Sequence, residues 1–238
     1  MTARPAAGGG RWIEVPPERL ARWLDGFHQR HRVTHSDYQP GVVRFDGADG
    51  AVAECHPPFP PLPSAPPMPS TVRVDTADEV WSNREIGFRP GPLVEHTVAE
   101  RTVGVLLVRA GGHAVGVFEG TRLVASKVGS RLVHGRSAAG GWSQHRFARR
   151  REGQLREAHA AAASDAVRVL VPRLDQLDAV VLGGDRRALD TLGADARLRP
   201  VFNLAVDRVL AVPDPRLAVL TGTPDQFRAV RIRLIDPP

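Results

Sequence analysis

From Gly135 the chain reads GRSAAGGWSQHRFARRREGQ, and Gln144 is the residue whose position there invites a chemical reading. It follows the glycine pair Gly140–Gly141 and the dipeptide Trp142–Ser143, and it precedes Arg146, Arg149, Arg150 and Arg151. A glutamine side chain neither takes nor gives a proton at neutral pH, so any catalysis by it works through geometry. Its amide can hold a water or hydrogen-bond a developing charge. The preceding SAAGG (137–141) has no bulky side chain, so it can thread a narrow space and adopt backbone angles closed to other residues. The plain alternative is a long turn. Trp142 suits either stacking on a base or packing at the foot of the loop.

Charge gathers around this segment. The 238-residue chain has a net charge of +6, and 31 of its 32 basic residues are arginine, Lys127 being the single lysine. Residues 121–151 hold eight bases and no acid: Arg122, Lys127, Arg131, Arg136, Arg146, Arg149, Arg150 and Arg151. The rest of the chain therefore sums to −2. Arginine presents a planar fork of donors that matches phosphate, and a local field of one sign selects a polyphosphate partner. Arg146, Arg149 and Arg150 fall at i, i+3 and i+4, one face of a helix. A solvated basic face is the alternative.

The elements that must carry the segment follow from periodicity. Leu20, Trp23, Leu24, Phe27 and His31 predict an amphipathic helix entered through proline at 17. The stretch 41–55 predicts a hairpin. Proline-rich PPFPPLPSAPPMPS (57–70) reads as an extended spacer, while 71–97 shows no clear pattern. From Thr102 an antiparallel meander of three strands is expected, turning at AGGH and EGT. Ser143 to about Leu170 is a long helix candidate with Ser143 near its N-cap. Strands are expected at 177–184, 204–212 and 227–235, with a short helix at 186–193. This predicts an α/β (α+β) domain around one sheet with a small N-terminal α+β extension, the chain being divided into an N-terminal helix-and-hairpin region (1–56), a linker (57–70) and a catalytic domain (71–238).

One cysteine, Cys55, excludes an intramolecular disulfide and a cysteine-based metal cluster within one chain, which suits a reducing compartment. The start MTARPAAGGG lacks the apolar core of a signal peptide, and VGVLLV (103–108) is too short to span a bilayer, which takes ~20 residues. A soluble, cytoplasmic protein without membrane contact, metal or cofactor is expected.

The segment HGRSAAGGWSQHRFARRR (134–151) resembles the loop and helix of the eukaryotic and archaeal class 1 translation termination factors. Their His-Gly-Arg-Gly-Gly-Gln element followed by Arg-Phe-Ala-Arg is matched by His134, Gly135, Arg136, Gly140, Gly141, Gln144, Arg146, Phe147, Ala148 and Arg149. Trp142 and Ser143 stand between the glycine pair and the glutamine, and Ser137 to Ala139 lengthen the approach. That version is similar to the Vms-like branch, above all its actinobacterial release factors. The likeness extends through 106–120, 126–136, VVLGG and the opening WIEVPPERLARWLDGF. The resemblance implies a ribonuclease-H-like central domain with a mixed sheet and a long basic helix, whose loop enters the peptidyl transferase centre of the large ribosomal subunit. It further implies that Gln144 positions water at the peptidyl-tRNA ester and that Gly140, Gly141, Trp142 and Ser143 form the entering loop. Lys127, Arg131, Arg136, Arg146, Arg149, Arg150 and Arg151 would then grip ribosomal RNA and the tRNA, in the rescue of stalled ribosomes. The same branch is associated with cutting the tRNA before its CCA end, and a non-catalytic binder of ribosome or tRNA would share the charge pattern.

Other constellations are weaker. Ser143 as a hydrolase nucleophile needs a histidine and an acid, from among His145, His113, His134 and His159, but lacks the Gly-x-Ser-x-Gly elbow. His28, His31, His35, Cys55 and His56 have only partial metal-ligand spacing. VVLGGDRR (180–187) lacks the lysine of a phosphate loop, so a strand-ending turn is the better reading.

Overall fold

The computed structural model describes residues 4–62, 88–109, 111–130 and 143–238, with 143–149 as helical backbone alone. The chain divides into two compact units, one of residues 1–99 with 228–238 and one of residues 100–227.

In the first unit, strands β1 (Arg4–Pro5) and β2 (Arg11–Val15) lead into helix α1 (Pro17–His31). They are followed by β3 (Val33–Gln39), β4 (Val42–Gly47), β5 (Val52–His56) and helix α2 (Gly91–Val98). Proline at the first helical position, Glu18 in the first turn and His28, Arg30 and His31 in the last suit α1 to its own dipole. Its apolar stripe buries Leu20, Leu24 and Phe27 completely, roughly 1.5–3 kcal/mol each. The helix stops at Arg32, which turns left-handed (φ 49°) and returns its N–H to the His28 carbonyl at 2.7 Å.

The stripe packs on an antiparallel sheet whose centre is the last strand of the chain, Val230–Ile235, between β2 and β5. Alternation places Ile13, Val15, Val43, Phe45, Ala53, Cys55, Val230 and Ile232 in the core. Across the other side run ion pairs, Arg233–Glu54 at 3.2 Å and Arg44–Asp46 at 2.8 Å.

Two expectations are corrected here. The segment 227–235 adds its strand to the N-terminal sheet and not to a domain of 71–238, because Val230, Ile232 and Leu234 complete the core beneath α1. The beginning of the proline-rich segment is not a free spacer: Phe59 and Leu62 are buried, and the Leu62 N–H meets the Pro40 carbonyl at 2.8 Å. Residues 63–87, including the rest of that segment, lie outside the described residues.

The second unit opens with the expected meander, β6 (Thr102–Arg109), β7 (Gly112–Glu119) and β8 (Arg122–Ser130). Helix α3 (Ser143–Leu170) follows, closed by a 3-10 turn at Val171–Gln176. Then come β9 (Ala179–Gly184), α4 (Arg186–Gly193), α5 (Arg199–Asn203), β10 (Ala205–Leu210), α6 (Leu217–Thr221) and α7 (Pro224–Phe227). The final strand is thus β11.

The sheet order is β10-β9-β6-β7-β8, antiparallel through the meander and parallel from β6 to β9 and β10. Counted within the unit this is 3-2-1-4-5, the mixed α/β, ribonuclease-H-like arrangement. The buried run AVVLG of β9 reads as a parallel strand covered on both faces should. One face packs under α3 and α4 through Leu106, Val108, Val115, Val117, Val180 and Leu182. The other meets α6 and α7, where Phe118 and Phe227 pack edge to face at 5.7 Å.

Candidate functional site

The basic helix and the end of β8 define the site. Ser130 pairs with Gly112, so the chain leaves β8 at the edge where β6 ends at Arg109 and β9 ends at Gly184. It returns as α3, which runs antiparallel to those strands and reaches the opposite edge, with Leu170 against Gly104. Among the described residues, the buried side chains of α3 fall between Ala158 and Leu170. From Arg150 to Glu157 the side chains are exposed or half-buried. The first 15 residues of the helix, a length of ~22 Å, therefore carry no core packing among the described side chains. This part begins at Ser143–Gln144.

Arg150 and Arg151 are exposed on it and make no ion pair among the described residues. Lys127 is exposed on β8, the edge strand, opposite Val115, and so belongs to the face of the sheet that α3 covers. Arg122 lies at the far end of β8 and is paired with Glu119. Gln144, Ser143, Arg146 and Arg149 fall in the first turns of α3, their side chains beyond the described set. Gly140, Gly141, Trp142, Arg131 and Arg136 lie outside the described residues altogether.

Of the histidine candidates, His134 and the side chain of His145 lie outside the described residues, while His113, His28, His31 and His56 have other employment. His113 is 5% exposed, with its Nε2 2.9 Å from Asp165 Oδ2. Twenty-two residues of helix separate Asp165 from Ser143, ~33 Å along the axis, and His159 is ~24 Å away by the same measure. Neither can join Ser143 in a triad. His28 stacks on Phe88 at 4.4 Å, and His31 Nδ1 lies 2.8 Å from Asp49 Oδ2. That hydrogen bond holds the Asp49 carboxyl below the usual carboxylate range. Cys55 lies in the core, and burial drives its thiol well above the ordinary value. His56 is tilted against Trp12, and desolvation lowers its affinity for a proton. Among the described residues no three His, Cys, Asp or Glu side chains gather for a metal ion.

At the carboxyl ends of the parallel strands, Arg109, Gly184, Asp185, Ala211 and Val212 line a cavity of about 430 Å³. Both charged groups are engaged. Arg109 donates to the Val212 carbonyl at 2.8 Å, and the Asp185 carboxylate caps α4 by accepting from the Arg187 N–H at 2.9 Å. The acid occupies the place a phosphate would take, so VVLGGDRR is a strand-ending turn with a capped helix.

The His113–Asp165 contact is the feature that sequence reading missed. Its signal was a histidine at an inward position of an apolar strand, AGGHAVGVF, where an unpaired polar group is costly.

Among the described residues no helix is long and apolar enough to cross a membrane. Comparison with curated proteins finds no match. Among solved structures, the chain is similar to an archaeal translation termination factor, aRF1, at 16% identity and a TM-score of 0.41, over 91% of this chain and 66% of that one. A structure described as an archaeal protein matches at 16% identity and a TM-score of 0.39, over 88% of this chain and 62% of that chain. A Vms1 mitochondrial localization core matches at 12% identity and a TM-score of 0.33, over 93% and 82%. The chain thus spans less than two thirds of either archaeal structure. Residues 101–233, more than half of the chain and nearly all of the second unit, match the family model described as Actinobacteria/chloroflexi VLRF1 release factor, and the chain belongs to that family.

Proposed function

We propose that this protein is a peptidyl-tRNA hydrolase that frees nascent chains from stalled ribosomes. The observation that carries the reading is the glycine-pair–Trp-Ser-Gln segment, set within a release-factor family match and at the start of a helix whose side chains from Arg150 to Glu157 are exposed or half-buried. In the reaction, water adds to the ester carbonyl, the bond to the terminal tRNA ribose oxygen breaks, and that oxygen leaves with a proton. Gln144 orients the water and hydrogen-bonds the developing charge, a task of geometry that needs no base from the protein. Gly140 and Gly141 admit the loop to the peptidyl transferase centre. Lys127, Arg131, Arg136, Arg146, Arg149, Arg150 and Arg151 hold rRNA and tRNA phosphates.

The test incubates the protein with stalled ribosome–nascent-chain complexes and follows freed peptide and tRNA length. The wild type releases peptide and leaves an intact CCA end. Q144A keeps its half-saturating concentration and slows release by roughly 10²–10³, the loss typical of removing one positioned donor. S143A leaves release within a few-fold. A tRNA shortened at its CCA end would replace ester hydrolysis with endonucleolytic cutting. Full dependence on Ser143 with Gln144 dispensable would reject the glutamine mechanism.

A further inference from the structure

The buried contact between α3 and its sheet is largely a contact of methyl groups. Ala162, Ala163 and Ala166 are all under 5% exposed and share a core cluster with Val115 and Val117 of the sheet. Alanines on the helix side offer low ridges to the valines and leucines of the sheet, so this stretch resists approach better than a sideways swing. Two contacts break this smoothness. At the C-terminal end Leu170 sits over Gly104, where an added Cβ would lie 3.1 Å from its Cδ2. Five residues earlier, Asp165 Oδ2 accepts a hydrogen bond from His113 Nε2 at 2.9 Å, with both side chains largely buried.

The imidazole has a third neighbour. Gly129 lies directly against it: an added Cβ there would fall 2.4 Å from Cε1 and 2.7 Å from Nε2. Gly129 pairs with His113 one step before β8 ends at Ser130. One ring therefore holds both the helix and the strand from which the glutamine segment departs.

We infer that the His113–Asp165 pair, seated against Gly129, is the positioning contact that sets the direction of the N-terminal half of α3 and thereby where Gln144 arrives. Its catalytic consequence rests on the release reading above; its effect on the helix does not. The lever is long. Asp165 is ~7.5 Å from Leu170 along the axis and Gln144 is ~39 Å from it, so a shift of about 1 Å at the pair becomes about 5 Å at the glutamine. Misplacement by about 1 Å at a reacting centre already costs about 10²-fold in rate.

The test measures helix direction directly. Cysteines replace the exposed Ser126 on β8 and Arg156 on α3, and nitroxide labels on them report a distance distribution by pulsed electron spin resonance. Cys55 is fully buried and stays unlabelled. The parent gives one narrow distribution. H113L/D165L, which removes both polar groups together, shifts or broadens it by several Å. Its saturating release rate falls at least tenfold at unchanged half-saturation, while D165N, whose side-chain oxygen still accepts from the imidazole, restores both readouts. Gly129→Ala displaces the ring with both polar groups in place and gives the same shift, so the question is answered even if the double variant does not fold. A distribution unchanged in H113L/D165L, or in Gly129→Ala should the double variant not fold, overturns the inference whatever happens to release. If the wild type frees no peptide, the hydrolase reading falls and the distances still decide the positioning role.

Discussion

Gly184 closes β9 with φ at +104°, and a Cβ built there would lie 2.1 Å from the Val108 carbonyl oxygen. Only glycine meets both demands, since other residues avoid this backbone region and the neighbour is a strand backbone that cannot yield. Gly184→Ala should therefore destabilise the second unit by roughly 2–4 kcal/mol, read as a lowered midpoint in denaturant with an unchanged slope. The strand-ending turn was legible in the sequence because two glycines, an acid and a short amphipathic run each point to the same local geometry. The His113–Asp165 contact was not, because its partners are 52 residues apart and only the packing of α3 on the sheet brings them together. Gln144 stands between these cases. Its neighbours made it conspicuous, and the chemistry proposed for it depends on a partner outside the chain.

Among the elements, α1 and α3 were readable to within a residue or so, since each carries an apolar stripe over four or more turns. Helix α2, eight residues entered through prolines at 90 and 92, gives too short a period to recognise, and it buries Leu93 and Thr97. Strand β2, RWIEV, hides its alternation because Trp12 faces the ion-paired side, where Arg231 lies 4.6 Å over its ring. For α3 the periodicity identified the helix but not how little of it would be packed. Its exposed Arg150 and Arg151, without an ion pair among the described residues, make a quantitative prediction. Each phosphate contact contributes about 0.7–0.9 to the slope of log affinity against log salt. R150A/R151A should lower the slope for binding stalled ribosome complexes by about 1.5. R122A, removing a residue already paired with Glu119 at the far end of β8, should leave it unchanged. Equal effects from both would mean that the attraction is spread over the surface and not gathered along α3.

At the scale of the whole chain, the order of elements hides a closure that local pattern cannot reveal. β11 has a strand's alternation, VRIRLI, and sequence proximity assigns it to the domain just completed. What places it in the first unit is long-range pairing: Ile232 lies opposite Ile13 on one side and Cys55 on the other. The first unit thus needs both ends of the chain, while the second is a single continuous insertion. Truncation after Ala229 removes Val230, Ile232 and Leu234 from the core and separates β2 from β5. Each such side chain is worth roughly 2–5 kcal/mol, so the three together approach the roughly 5–15 kcal/mol that holds a typical domain folded. Cys55 supplies the readout, for its thiol is fully buried and held protonated by that burial. In the intact protein it should react with a thiol reagent only as fast as the first unit opens. In the truncated chain it should react at the rate of a free cysteine, while Gly184, Val108 and the rest of the second unit keep their amide protection. Continued protection of Cys55 without β11 would mean that the first unit folds on its N-terminal strands alone, and the discontinuous assignment would fail.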